Sequence, residues 1–473
     1  MQDLPDHVWS LIFDHLEYPI RESNFSHEIK YTHHGSGIEA LNRLCQTSSR
    51  FLPLAQRVLY RSLPFISPAN QKRLLDTLHK HTHLRELVQY IFMGDGIMSR
   101  NEFVKLIIPY YSETLERASF VPDGLEAAIK GVPEGEEWQD SVTDIWFAYC
   151  AILLPNLRLI DYETRNFDEH FPAIIRNAAK RRTEASVAPR EATLASQPQP
   201  GSVASLPPSQ PLSKLREFRI SNQDTEFAVR LGGIQELFLL PELQIFRGCA
   251  VELKTKLARQ TPRPISTLRH AYLDNSLAEA AGVGDLLRTC PDLQTLSIYW
   301  GSATVGDSEL NFDHFGKVLR EHGQNLETLD LDCTECFSYE GGEWNGKIGD
   351  LTPLKRLKYL TLPLDIMLGS EDELSGMDNI GDSDDEGGEN VETVPITKDS
   401  LEPLLPESLE KLRFYSGYDE ADWVRDSIQG VLSSQRLNQL KRLQFDLGVT
   451  LDVGWDKTGW LSKRAAGHKL FYR

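Results

Sequence analysis

The chain has 473 residues, a formal net charge of −19, 40% hydrophobic and 25% charged residues, a balance ordinary for a soluble globular protein with core for two or three domains, or one domain and a long repeat array. No run of ~18 apolar residues occurs, which excludes a membrane-spanning helix, and the acidic balance argues against general affinity for nucleic acid or anionic membranes. Asp3 and Asp6 stand where a secretory leader would be basic, and the six cysteines are scattered, so reduced thiols and a cytoplasmic or nuclear location are expected.

Pro5 suits the first turn of a helix, where its missing N–H has no intrahelical partner, and Asp6 adds favourable negative charge there. Val8, Ile12 and Leu16 fall on one stripe with Trp9 and Phe13 beside it, while Ser10, Asp14 and His15 face away. A second short helix is expected from Leu41 to Thr47, and a third, opened by Pro53, carries Leu54, Val58 and Leu59. Three such helices in about sixty residues barely make a self-sufficient core, so the segment gains stability by docking on a partner.

Leu4-Pro5 with Val8, Ile12, Phe13 and Leu16, then Leu41, Leu44, Ser48 and Phe51, resembles the F-box, the helical motif that docks on the Skp adaptor of cullin-based ubiquitin ligases. The resemblance covers residues 1–62 and implies that these ten side chains contact the adaptor. Thr47, Ser49 and His7 depart from the family's pattern, and the connection from Glu17 to Ala40 is longer than the family's. The same residues also fit an ordinary N-terminal helical cap.

Farther along, His27, His33 and His34, and then His79, His81 and His83, lack cysteines or carboxylates at ligand spacing, so all are expected in solvent. Ile145 to Leu154 reads as a buried helix. Along the chain a phrase recurs, L-x-x-φ-x-φ with φ apolar. Its clear copies begin at Leu293, Leu326, Leu357, Leu409 and Leu440, and weaker ones at Leu115, Leu157, Leu215, Leu243 and Leu268. The starts lie 25 to 33 residues apart except for gaps of 42, 58 and 52, a period that is the signature of leucine-rich repeats. Within each copy the last two apolar positions alternate with polar ones, as in a strand with one buried face. Helix-period segments precede several copies: Leu277 to Leu287, Phe312 to Leu319, and Trp423 to Leu432. The expected fold is therefore α/β: an N-terminal helical F-box, then a leucine-rich-repeat solenoid of parallel strands over residues 63–448, then a tail at 449–473. A non-repetitive α/β domain rich in leucine is the alternative.

Two disordered inserts are expected in the array. Residues 180–213 are rich in Pro, Ser, Ala and Gln and cannot bury enough apolar area to order themselves. Residues 369–399 hold an acidic tract, with ten acidic residues and no lysine or arginine from Ser370 to Thr397. Ser370 and Ser383 each precede acid by three residues, which marks them as phosphorylation sites for an acidophilic kinase.

Chemistry is sparse. Cys333 and Cys336 have the spacing of half a zinc site, but no second pair follows, so two packed thiols are expected and no metal. No phosphate-cradling loop, nucleophile elbow or H-E-x-x-H occurs, and the sequence makes no case for an enzyme or a cofactor. The combination looks most like the fungal F-box proteins with leucine-rich repeats. That resemblance implies a substrate-recognition subunit of an SCF-type ubiquitin ligase, with a Skp-family adaptor and, through it, a cullin as partners, and a client protein held by the repeats. The alternative is a non-degradative interaction scaffold with the same adaptor-binding motif.

Overall fold

A computed structural model describes residues 4–16, 35–65, 68–93, 100–130, 139–164, 168–187, 210–222, 228–231, 234–254, 266–301, 310–333, 344–368, 401–416, 430–431, 433–447, 451–456 and 459–463. The chain forms two compact units, one of residues 1–224 with 233–249 and one of residues 225–232 with 250–473.

The first unit opens with three helices, α1 (Asp6–Asp14), α2 (Gly35–Thr47) and α3 (Phe51–Leu59). Pro5 is extended, with φ −60° and ψ 153°, and its carbonyl accepts the first bonds of α1 from Val8 and Trp9. Pro53 falls in the first turn of α3, where it removes no helical hydrogen bond. Five parallel strands follow in chain order: β1 (Ser62–Phe65), β2 (Tyr90–Met93), β3 (Leu159–Thr164), β4 (Glu217–Asn222) and β5 (Ile245–Cys249). Each pairs with the next, so that Leu63, Ile91, Ile160, Phe218 and Phe246 share one buried row.

The crossovers carry α4 (Pro68–Lys80), α5 (Arg100–Glu116), α6 (Gln139–Leu153) and α7 (His170–Val187). Every residue of α6 from Ile145 to Ala151 is buried, as a helical stretch that is apolar all round demands. Asp144, on the same helix, caps α7: its carboxylate accepts the backbone N–H groups of Glu169, His170 and Phe171 at 2.7–2.8 Å. Burial raises the Asp144 pKa, and those three N–H bonds pull the other way.

The second unit repeats the design. Its parallel strands are β6 (His270–Asp274), β7 (Thr295–Tyr299), β8 (Thr328–Asp332), β9 (Tyr359–Pro363), β10 (Lys411–Ser416) and β11 (Arg442–Leu447). Leu296, Leu329, Leu360, Leu412 and Leu443 are successive register partners, each at most 1% exposed. The leading leucines Leu293, Leu326, Leu357, Leu409 and Leu440 are buried in the turns before the strands. Helices α8 (Ala280–Thr289) and α9 (Phe312–His322) fill the crossovers after β6 and β7. Asn311 caps α9 through a 2.9 Å bond from His314 N–H, and Gly323 follows its end.

Four expectations need correction. Leu115 lies inside α5 and starts no strand; its spacing to Ala118 and Phe120 imitates the phrase on a helix and the turn after it. Strands β1 and β2 were not anticipated, because Tyr60 and Val88 stand where the other copies have leucine. Residues 180–187 belong to α7, and residues 210–213 form a turn with Leu212 buried, so the first insert cannot begin before residue 188 or extend past residue 209. The tail from 449 supplies β12 (Leu451–Asp456) and β13 (Gly459–Lys463), a hairpin laid antiparallel on β11.

Candidate functional site

Helix α1 has two apolar faces with different destinations. Phe13 enters a core with Leu41, Ala55 and Val58, and Trp9, Leu16, Leu44, Cys45, Phe51, Leu54 and Leu59 pack around it. Trp9, Phe13 and Phe51 form an aromatic triangle with centroid separations of 4.9–5.9 Å. The other face stays outside: Leu4 is 37% exposed, Leu11 63% and Ile12 41%, with Pro5 exposed and Val8 half-buried. Positions 4, 8, 11 and 12 lie three or four residues apart and so share one side of the helix entry. At the start of α3, Leu52 is a further exposed leucine.

Polar contacts hold this face in place from a distance in sequence. Arg50 donates Nε–H to Asp6 Oδ1 at 3.0 Å and Nη2–H to the Leu4 carbonyl at 2.6 Å, tying the start of α3 to the start of α1. Arg61 donates to Asp14 Oδ1 at 2.8 Å at the far end of α1. Gly37 meets the end of α1 so closely that a Cβ there would lie 2.6 Å from the Leu16 carbonyl oxygen. Glycine is required by that approach.

The ten residues expected to meet an adaptor therefore divide. Leu4, Pro5, Val8 and Ile12 line the outward face. Phe13 and Leu41, each 1% exposed, form the module's own core and are withdrawn from the contact set, because the three helices must first bury their largest central side chains against one another. Leu16, Leu44 and Phe51 are half-buried at the margin of that core. Ser48 is half-buried too; its Oγ accepts the Arg50 N–H, and its carbonyl accepts the first bonds of α3. Leu11, Leu52 and Arg50 were missed. The spacing of Leu4 and Leu11 held the signal for Leu11, whereas the Arg50 bridge spans 46 residues and has no local signature.

Elsewhere the structure redistributes the reactive side chains. His79 was expected in solvent but is 8% exposed, under the ring of Tyr110 at 4.2 Å. Cys333 is buried, as are Cys150, Cys249 and Cys290. Burial pushes the Cys290 thiol up to about 12 and raises Cys150 further, the reverse of what a thiolate nucleophile needs. Among the described residues no group of three or more His, Cys, Asp or Glu could hold a metal ion, and no helix is long and apolar enough to cross a membrane. Ser370, Ser383, Cys336, His27, His33 and His34 lie outside the described residues.

No known protein-family model matches the chain, and no curated protein is significantly similar to it.

Proposed function

We propose that this chain is a recruiting subunit of an SCF-type ubiquitin ligase, its N-terminal helices acting as an F-box for a Skp-family adaptor and its parallel-strand units, read as degenerate leucine-rich repeats, holding a client protein. The observation that carries the reading is the outward face of α1. A helix whose inner side is already committed to Phe13 and Trp9 still presents Leu4, Pro5, Val8, Leu11 and Ile12 outward, and a small module that leaves so much apolar surface uncovered is built for a partner. Bond chemistry belongs to other subunits in this scheme. The chain supplies proximity, raising the effective concentration of client lysines at the ubiquitin-carrying enzyme.

The test is capture of a recombinant Skp-family adaptor by the full chain. Leu4→Ala combined with Ile12→Ala removes two exposed side chains and no core contact, so folding is expected to survive while adaptor affinity falls about thirtyfold or more, the cost of ~2 kcal/mol or above for two central contacts. Undiminished capture by the double variant would remove the docking assignment. Recovery of a cullin together with the adaptor distinguishes a ligase subunit from the scaffold reading, which requires the adaptor alone.

A further inference from the structure

Leu4 stands ahead of α1, outside the helix and outside the core of its module. The first helical bonds run from Val8 and Trp9 to the Pro5 carbonyl, so the Leu4 carbonyl takes no part in that ladder. Its side chain is 37% exposed and is not among those packed around Phe13. Pro5 restricts Leu4 to extended backbone, but it does not fix where the residue lies against the module. A residue with neither ladder nor core to hold it frays unless something else ties it down.

Arg50 supplies the tie. Its Nε donates to Asp6 Oδ1 at 3.0 Å, its Nη2 lies 3.0 Å from the same oxygen, and Nη2 also donates to the Leu4 carbonyl at 2.6 Å. The guanidinium is a rigid planar fork, so the grip on Asp6 sets the plane in which Nη2 meets Leu4. Both side chains of the ion pair are open to solvent, 38% for Arg50 and 64% for Asp6, and an exposed pair of this kind adds little to stability. What the arrangement does is hold an exposed leucine in one place. Arg50 directly precedes α3 and stands two residues before the exposed Leu52. Leu4 is thereby seated within one arginine side chain of the α3 N-terminus.

We infer that Arg50 is a positioning residue for partner docking, which acts through the Leu4 carbonyl to hold the Leu4 side chain ready as an anchor for the adaptor. The inference rests on the reading of the N-terminal helices as an adaptor-binding module and names the residue that presets its anchor. Without the tie, residue 4 must be ordered at the moment of binding, and fixing one residue's backbone lowers affinity by about a factor of ten. Ile12 is different. It lies inside α1, where the helix itself fixes its backbone, so its contribution is independent of Arg50.

A pair of double-mutant cycles on the full chain tests this, with affinity for a recombinant Skp-family adaptor measured by titration calorimetry and thermal melts run on the same preparations. Arg50→Gln is expected to weaken binding about tenfold and to leave the melting temperature unchanged. In a Leu4→Ala background the same substitution is expected to cost no more than about twofold, because the anchor it positions is gone. In an Ile12→Ala background it is expected to cost the full tenfold. A purely structural role for Arg50, or a direct contact between Arg50 and the adaptor, gives the same loss in both backgrounds, and that result overturns the inference. Binding by Arg50→Gln equal to the parent's overturns it as well. If Arg50→Gln also melts lower, the two backgrounds compared well below the melt still decide. Parent and variant separate the two ideas: a parent chain that binds no adaptor counts against the ligase reading, and this inference falls with it, whereas a binding parent with equal losses in both backgrounds counts against Arg50 alone.

Discussion

His79 shows how far a single residue can depart from its sequence context. Its neighbours His81 and His83 suggest a polar stretch, yet its ring is enclosed between α4, α5 and α6. Arg85 can only donate, and its Nη2 lies 3.5 Å from His79 Nδ1, so Nδ1 is the acceptor and Nε2 carries the proton. That proton points to the Tyr149 hydroxyl at 2.9 Å, which lies 3.1 Å from Thr114 Oγ1, which in turn donates to the Tyr110 carbonyl at 3.2 Å. Burial, and then the Arg85 charge, lower the His79 pKa from the ordinary 6.5 to about 4. Between those values the unfolded chain takes up a proton that the folded one refuses, so this residue's contribution to stability falls as pH drops from 6.5 towards 4. Asp161 opposes it, since burial pushes that carboxyl up to about 6 and the folded state gains a proton first on acidification. The difference between parent and variant isolates the histidine. His79→Gln is expected to melt below the parent at pH 7, with the gap narrowing by pH 4.5. A gap that stays constant with pH would show that His79 is protonated as readily in the folded state as in the unfolded one.

At the scale of the element, the strand register makes a sharp claim. Leu329 sits between Leu296 and Leu360 in a row with no solvent access, while Thr328 is half-exposed on the opposite face of the same strand. Leu329→Asp would place an unpaired charge in a dry layer at a cost of several kcal/mol, enough to unfold the unit. Thr328→Ala should change stability by no more than about 0.5 kcal/mol. Thermal melts of the two variants check this, and coincident midpoints would mean that the strand is turned the other way. The helices add a constraint of their own. Gly282 of α8 and Gly316 of α9 lie against the backbone of adjoining segments, where a Cβ would fall 2.0 Å from the Leu253 oxygen and 1.9 Å from the Ile348 oxygen. Each helix is seated this closely because one of its residues lacks a side chain.

For the whole molecule, the parallel array closes between the strands on either side of the acidic tract. Strands β9 and β10 pair directly from Tyr359 with Lys411 to Pro363 with Tyr415, although residues 369–400 stand between them in sequence. Removing residues Glu371 to Glu392 takes out ten negative charges and shortens that connection about threefold, which lowers the entropy cost of closing it by roughly 1 kcal/mol. The deletion variant is expected to melt at the parent's temperature or slightly above it, followed by circular dichroism. A large loss of stability would show that the tract contributes packing to the second unit. If an acidophilic kinase modifies Ser370 and Ser383 in the parent, phosphate incorporation should fall to Ser370 alone in this variant, and should lessen there too, because the acids that follow it are gone.

The repeating phrase was enough to locate β3 to β11 and to predict which leucines align, because a strand packed on one face must alternate, and a stack of identical units must repeat its buried positions. The sequence also marked the three N-terminal helices, through Pro5, Pro53 and the apolar spacing between them. It could not separate the two apolar faces of α1. Phe13 and Ile12 are equally hydrophobic neighbours, and only the packing of Leu41, Ala55 and Val58 decides that one is core and the other surface. The same holds for the buried histidine among polar neighbours and for the arginine that bridges 46 residues to the Leu4 carbonyl. Local pattern reports how a segment folds on itself. Which residues from distant segments become neighbours is settled by the tertiary arrangement, because burial and charge pairing are properties of that neighbourhood.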